Sequence, residues 1–278
     1  MRARIQHLAI VSENFPREAK FYEVLFGMRR ANPGSPEEEK AIRSNAALSI
    51  GDGYVGVTVI GRKPGYVPGL HHFGIDVDDA EEATARIQKR YPSVQVLKRP
   101  SNRPFATLGA HDPEGNFFDL TQEGMENRAD VYLEKQRTQP RRIRHFKLRV
   151  MNPALIAVFY RDLFDLAEEE KALEDPNYYL TDGRVTLIIA PWRMSDYAGA
   201  SIDGPGLEHV GFEVESVAAV EKEIAALRAA DPEMRERVIF VPAEAERREA
   251  LIAGCRYARY HLSDPDGIFI DVGEARRA

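Results

Sequence analysis

Cysteine is nearly absent: the 278 residues contain one, Cys255, alongside a single tryptophan, Trp192. A lone cysteine has no intrachain partner, which excludes a disulfide scaffold and suits a reducing compartment. Cys255 is therefore expected to be a small buried residue and not a nucleophile. A basic surplus is absent too. Against 38 Lys and Arg stand 44 Asp and Glu, a net charge of -6, so nothing offers phosphates a neutralising stripe and nucleic acid is not an expected partner. No segment approaches the roughly 18 consecutive apolar residues of a membrane span, and the run Leu8 to Val11 is far too short for a signal-peptide core. The expectation is a cytoplasmic chain with no membrane partner. Low complexity is missing as well. With 44% hydrophobic and 29% charged residues, Gly 20 and Pro 17, the composition is that of a globular protein. Its length suggests about two domains of roughly 150 residues.

What is present is a duplication. Ile5-Gln6-His7-Leu8 returns as Ile143-Arg144-His145-Phe146, and Phe21-Tyr22 returns at the same offset as Phe159-Tyr160. Pro68-Gly69-Leu70-His71-His72-Phe73-Gly74 returns as Pro205-Gly206-Leu207-Glu208-His209-Val210-Gly211, one position closer. Asp112-Pro113-Glu114-Gly115 returns as Asp264-Pro265-Asp266-Gly267 at a clearly longer offset. That lengthening places an insertion near 231–254. Residues 124–142, charged and holding Pro140, suit an exposed linker. The domains are thus 1–123 and 143–278.

Each half reads as strand, helix and strands, then the same again. In the first half, strands fall at 5–12, 46–50, 54–60, 70–77, 94–98, 105–111 and 116–122. Helices fall at 17–28 and at about 80–91, the latter opened by an Asp78-x-x-Glu81 capping pattern. The second half repeats this, with helices near 153–166 and 217–230. Alternation puts Phe73, Ile75 and Val77 on one face of their strand and His72 on the other. The same parity sets His7, Asp119, His145, His209 and Asp271 opposite their apolar neighbours. Two histidines and a carboxylate on one concave face form the facial set of non-haem iron and related divalent sites, so His7, His72, Asp119 and His145, His209, Asp271 are the candidate ligands. A single strand histidine is more often structural; three strands repeated in two copies reverse that preference. By the same parity His71, matched by Glu208, belongs on the helix side as a structural or surface residue, and His111 is a turn residue.

With these motifs in view, the chain resembles the vicinal oxygen chelate superfamily, which includes glyoxalases, extradiol dioxygenases, fosfomycin-modifying enzymes and bleomycin-binding proteins. The resemblance implies an α+β fold of two tandem domains, each of paired βαβββ modules forming a half-barrel cup around a divalent metal. Asp119 and Asp271 stand where that family usually has Glu. The fourth acidic ligand of glyoxalase-type members has no counterpart in Tyr54–Ile60 or Val185–Ile189. The remaining three-ligand site looks most like that of a two-domain type I extradiol dioxygenase, open to two substrate oxygens and to dioxygen. A complete first-half triad is unusual for that class. The resemblance also implies a histidine before the second ligand strand, where Trp192 to Tyr197 offers none, and a tyrosine some way before the last ligand. There His261 stands instead, flanked by Tyr257 and Tyr260, so these three are the candidate proton-handling residues. The implied cofactor is Fe(II), with Mn(II) as the alternative, and the implied partners are a small molecule with vicinal oxygens and dioxygen; a homo-oligomer is compatible with all of this. Two other readings stay open. One is a glyoxalase-like lyase, isomerase or fosfomycin-type transferase using the metal as a Lewis acid. The other is a metal-free aromatic or antibiotic binding protein. The charged insertion is either a solvated helix or a lid over the second cup.

Overall fold

Alternating apolar strands that must bury one face, each trailed by an amphipathic helix, have a natural solution in helices packed on one side of curved sheets. The computed structural model describes residues 1–100, 103–124, 129–132, 139–200, 202, 204–236 and 241–275. The first half runs β1 (Ala3–Ser12), α1 (Phe15–Phe26), β2 (Arg29–Arg30), α2 (Pro36–Arg43), β3 (Ala47–Gly51), β4 (Gly56–Gly61), β5 (Gly69–Val77), α3 (Ala80–Arg90), β6 (Leu97–Lys98), β7 (Leu108–His111) and β8 (Phe117–Gln122). The second half runs β9 (Arg142–Val150), α4 (Pro153–Phe164), β10 (Ala167–Glu168), β11 (Tyr178–Thr181), β12 (Thr186–Pro191), α5 (Met194–Tyr197), β13 (Gly206–Val214), α6 (Val217–Ala230), α7 (Pro242–Ala253), β14 (Tyr260–Ser263) and β15 (Phe269–Glu274).

The sheet orders are β2-β3-β4-β1-β5-β8-β7-β6 and β10-β11-β12-β9-β13-β15-β14. In each, the two modules meet at the pair of strands that carry the histidines, β1 with β5 and β9 with β13. Both sheets are of the expected α+β type.

Helix ends follow local chemistry. Asn14, Asn152 and Ser216 cap α1, α4 and α6 with their side chains, and prolines occupy the first turns of α1 and α4. The expected cap at Asp78 is off by one: Asp79 Oδ1 accepts the Glu82 N–H. The helix α1 stops at Phe26, short of Met28, because Gly27 adopts φ 65°, a left-handed terminus. The short helix α2 has no buried residue, which is why apolar periodicity does not reveal it.

Two β-bulges per sheet alter the parity argument. Ile5 pairs Ile75 and His7 pairs Gly74, so Gln6 is an extra residue; Ala9 pairs His72 and Ile10 pairs Leu70, so His71 is another. In the second sheet the extra residues are Arg144 and Glu208. A bulge shifts strand phase by one. Ile5 and Leu8 therefore both reach the core, and Glu208 leaves the helix side to be buried in the cup, while His71, exposed as a surface residue is expected to be, turns to the rim of its own cup instead of the helix side.

The halves clasp each other with pseudo-twofold logic. The hairpin aspartate of each half reaches the first ligand strand of the other: Asp52 Oδ2 accepts the Ile143 N–H at 2.7 Å, and Asp182 Oδ2 accepts the Ile5 N–H at 2.7 Å. Tyr22 donates to Asp264 at 2.8 Å and Tyr160 to Asp112 at 3.2 Å. Phe26 stacks on Phe212 with centroids 3.8 Å apart, and one continuous apolar cluster spans both halves. The linker is not wholly exposed as its charge suggests. Residues 130–132 form a short 3-10 turn that buries Val131 and Tyr132, while 125–128 and 133–138 lie outside the described residues. No described helix is long and apolar enough to cross a membrane.

Candidate metal centre

In the second cup three donor atoms converge. His145 Nε2 is 3.2 Å from His209 Nε2 and 3.2 Å from Asp271 Oδ2, and His209 Nε2 is 2.8 Å from the same oxygen. Donors bound at about 2.1 Å and at right angles around one cation lie about 3.0 Å apart. The separations therefore fit a facial half of an octahedron. All three side chains are buried. Glycine makes this possible: a Cβ on Gly211 would fall 1.9 Å from the His145 ring. Burial alone would raise the Asp271 carboxyl, but the His209 charge and hydrogen bonds from His145, His209 and His261 hold it below the usual range. Burial opposes charge on His209 as well, yet Asp271 lifts its pKa well above 6.5. Such a cluster attracts positive charge, whether protons or a metal ion.

The surroundings orient these ligands. Glu208, turned inward by its bulge, accepts from His209 Nδ1 at 3.1 Å and from Lys147 Nζ at 2.8 Å, and receives the Tyr197 hydroxyl at 3.1 Å. Holding the proton on Nδ1 leaves Nε2 free to ligate. Tyr257 lays its ring 5.1 Å from that of His145, and its hydroxyl donates to Glu169 at 2.7 Å. His261 Nε2 lies 3.2 Å from the outer oxygen of Asp271, across the β14–β15 pair. Tyr260 departs from expectation. It is the cross-strand partner of Val272 and packs against the helix-side core, so the period of two carries it away from the cup.

Cys255 also departs from expectation. It is half-buried, and its Sγ is 3.5 Å from His145 Nε2; burial opposes ionisation, but His145 and His209 draw the thiol down to about 6. A cavity of about 610 Å³ opens beside the centre, bordered by His145, Tyr257, Arg144, Arg256 and Glu169. Of the three ligands, His145 is the one that lines it.

The first cup repeats the ligand set in a tighter space. His72 Nε2 is 3.2 Å and His7 Nε2 3.9 Å from Asp119 Oδ2. Phe105 stacks on His7, with centroids 4.6 Å apart, and the Tyr132 hydroxyl meets His7 Nδ1 at 2.8 Å. Arg99 Nε lies 3.3 Å from Asp119 Oδ1, and His71, brought inward by its bulge, meets His72 Nδ1 at 2.6 Å. Burial, with the neighbouring His72, drives the His7 pKa down to about 3, which leaves the ring neutral. The space here is about 20 Å³, room for about one water. His111 stays at the exposed end of β7.

Both predicted triads are thus assembled. The residues the sequence reading missed, Cys255, Glu208, Tyr132 and Arg99, arrive through the insertion, a bulge, the linker and a long side chain. The doubled histidine-or-acid at 71 and 208, aligned between the repeats, is the one local sign that a bulge was there to find.

A family model described as the Glyoxalase/Bleomycin resistance protein/Dioxygenase superfamily matches residues 4–120 and 142–272. No curated protein matches. Among solved structures, the Mn(II)-bound glyoxalase from Novosphingobium aromaticivorans is 15% identical with a TM-score of 0.63, over 98% of this chain and 81% of that one. The 2,3-dioxygenase LapB from Pseudomonas sp. KL28 is 12% identical with a TM-score of 0.64, over 98% and 92%. Homoprotocatechuate 2,3-dioxygenase from Arthrobacter globiformis is 14% identical with a TM-score of 0.62, over 98% and 79%. At such identities the likeness is one of fold.

Proposed function

Because the chain belongs to the glyoxalase/bleomycin resistance protein/dioxygenase superfamily, we propose that its second half is a metal-dependent catalytic site for a small molecule with two neighbouring oxygens, and that the reaction is ring-cleaving dioxygenation of a catechol-like compound. The observation that carries this reading is the convergence of His145, His209 and Asp271 within 3.2 Å beside a cavity of about 610 Å³. A divalent ion held there, Fe(II) before Mn(II), would supply Lewis acidity and, as iron, a redox partner for dioxygen. The chain's own residues do the rest. Arg144 and Arg256 border the cavity and are both paired with Glu169, so what they offer a substrate oxygen is oriented N–H donors within a balanced ion network. Tyr257 covers one face of the His145 ring. His261 opens on a separate groove beside Glu246 and Glu249, not on that cavity, and acts on the centre through its Nε2, which faces the outer oxygen of Asp271.

A second reading, metal-assisted lyase, isomerase or transferase chemistry without dioxygen, is favoured by Cys255, which crowds the same donors. Metal content and dioxygen uptake of anaerobically purified protein, offered catechol and substituted catechols, separate the two. Metal that is lost in His209→Ala, with dioxygen consumed only by the unaltered chain, is the expected result. Bound metal without dioxygen uptake favours the second reading. A chain that takes up no divalent metal leaves only a binding protein.

A further inference from the structure

The insertion ends in a turn that is pressed against the second sheet from both sides. Cys255 N–H bonds to Ile252 O at 2.8 Å and Arg259 N–H to Val272 O at 2.8 Å. A Cβ on Gly273 would lie 2.0 Å from Tyr257 O, so the backbone there seats directly on β15. On the other flank Arg247 and Arg248 of α7 donate to Ala198 O and Ala200 O, at 2.8 and 2.6 Å, which ties α7 to the rim. Thus anchored, Cys255 Sγ stands 3.5 Å from His145 Nε2, and the donors of His145, His209, Cys255 and Asp271 all lie within 4.8 Å of one another. Bonds of about 2.3 Å to sulfur and about 2.0–2.1 Å to nitrogen hold two donors of one ion about 3.1 Å apart at a right angle and about 3.5 Å apart at a tetrahedral one, so the observed 3.5 Å puts both atoms in reach of a single ion whose coordination opens toward tetrahedral.

We propose that Cys255 Sγ is a fourth protein ligand of the second-half metal centre, giving it a donor set of two histidines, a cysteine and an aspartate that prefers a thiolate-tolerant ion such as Zn(II) or Fe(II) to Mn(II). The inference rests on the metal-centre reading above and sharpens it. Soft sulfur selects among divalent ions where imidazole and carboxylate alone do not. On binding, the thiol proton passes to solvent as the sulfur-metal bond forms. Four protein ligands would fill a tetrahedral ion, and only an ion that expands its coordination would keep places for a chelating substrate. Dioxygen alongside that substrate requires the thiolate to leave; a thiolate retained through turnover fits the Lewis-acid reaction. The first half has no thiol. Aligning the repeats on their Asp112 and Asp264 motifs sets Arg103 opposite Cys255, and Arg103 lines the small first cavity.

The test is anaerobic Co(II) titration of metal-depleted wild type, Cys255→Ser and His209→Ala, followed by near-ultraviolet absorption and metal analysis. Wild type is expected to show the intense thiolate-to-cobalt band. Cys255→Ser is expected to keep the second-half cobalt, lose the band, and bind Mn(II) better relative to Zn(II). Alkylation by iodoacetamide reads the same contact in the unmutated chain, where Cys255 is the one thiol: added Zn(II) should slow it on the order of tenfold or more. Cobalt that is lost in His209→Ala but gives no thiolate band, or alkylation indifferent to Zn(II) that fills the site, overturns the inference and leaves the metal centre standing. Cobalt content unchanged in His209→Ala overturns the centre and the ligand together.

Discussion

The two cups are copies in which the ligands persist and nearly everything around them has been exchanged. Phe105 and Tyr257, at matching positions of the repeat, both lie on the first-strand histidine. Asp119 has Arg99 at its outer oxygen, 3.3 Å away, where Asp271 has His261 at 3.2 Å. That exchange is steric in origin. Gly109 occupies the position of His261 across from the carboxylate, and Arg99 reaches over it. A guanidinium keeps its proton at any working pH, whereas an imidazole can give one up. His72 leans on His71; His209 leans on Glu208. One cavity has room for about one water, at about 20 Å³, and the other measures about 610 Å³. Duplication therefore left two metal-type triads, and among the described residues the second is the one with a large cavity beside it, an imidazole at its outer oxygen and a carboxylate behind its ligand.

The largest break in that comparison is catalytic. His209→Ala or Asp271→Ala should abolish turnover, and His261→Gln should lower kcat while metal content stays. His72→Ala should leave kcat unchanged. Steady-state kinetics with metal analysis on the four variants decides it: loss in His72→Ala with His209→Ala active would put the active site in the other half. Next in size is the effect of Glu208→Gln. Removing the carboxylate behind a ligand histidine costs about 10–100-fold in metal affinity, whereas His71→Gln should cost the second centre nothing. Competition against a chelator measures both, and equal losses would erase the distinction.

A smaller effect belongs to the first cup. Tyr132 connects His7 Nδ1 and Thr58 Oγ1, at 2.8 and 2.7 Å, and Gly56 has no Cβ where that ring lies. Tyr132→Phe leaves buried polar atoms short of a partner, at a cost of about 1–3 kcal/mol. Thermal unfolding should register this with kcat unchanged. If activity falls with it, the first cup takes part in the reaction.

The repeat made the two triads legible, because three strands in two copies constrain one another even where each alone says little. The order of elements was legible for the same reason. Strand parity failed at Gln6, His71, Arg144 and Glu208, since a bulge adds one residue without any change of composition that alternation can register. Cys255 was illegible because its counterpart in the first repeat is Arg103, so the duplication holds no second thiol to match it, and its placement depends on α7 tying back to the rim. Tyr132 was hidden in a segment whose charge reads as solvent-facing. Arg99 acts through the reach of a long side chain from the start of a loop, which no spacing rule anticipates.

The smallest predicted effect separates the two halves of the domain interface. Tyr22 donates to Asp264 and Tyr160 to Asp112, but the first contact has an added acid: Glu18 is fully buried facing Asp264, beside the Arg17–Asp266 ion pair. Its counterpart in the second repeat is Ile156. Burial, then the charge of Asp264, pushes the Glu18 pKa well above 4.5, and burial pushes Asp264 up to about 6. Acids raised in this way bind protons more tightly folded than unfolded. Their contribution to stability is full below the unfolded values and is lost as pH rises through the folded ones. Glu18→Gln replaces the protonated acid with a neutral amide and makes this contact, like its partner, a single-acid one. The variant should match wild type near pH 4 and gain on it as pH rises toward 8, by on the order of 1 kcal/mol, because Arg17 offsets part of the burial cost. Unfolding midpoints measured across that range check the sign: a gap that stays constant, or opens toward acid, would mean that Glu18 is ionised in the folded interface.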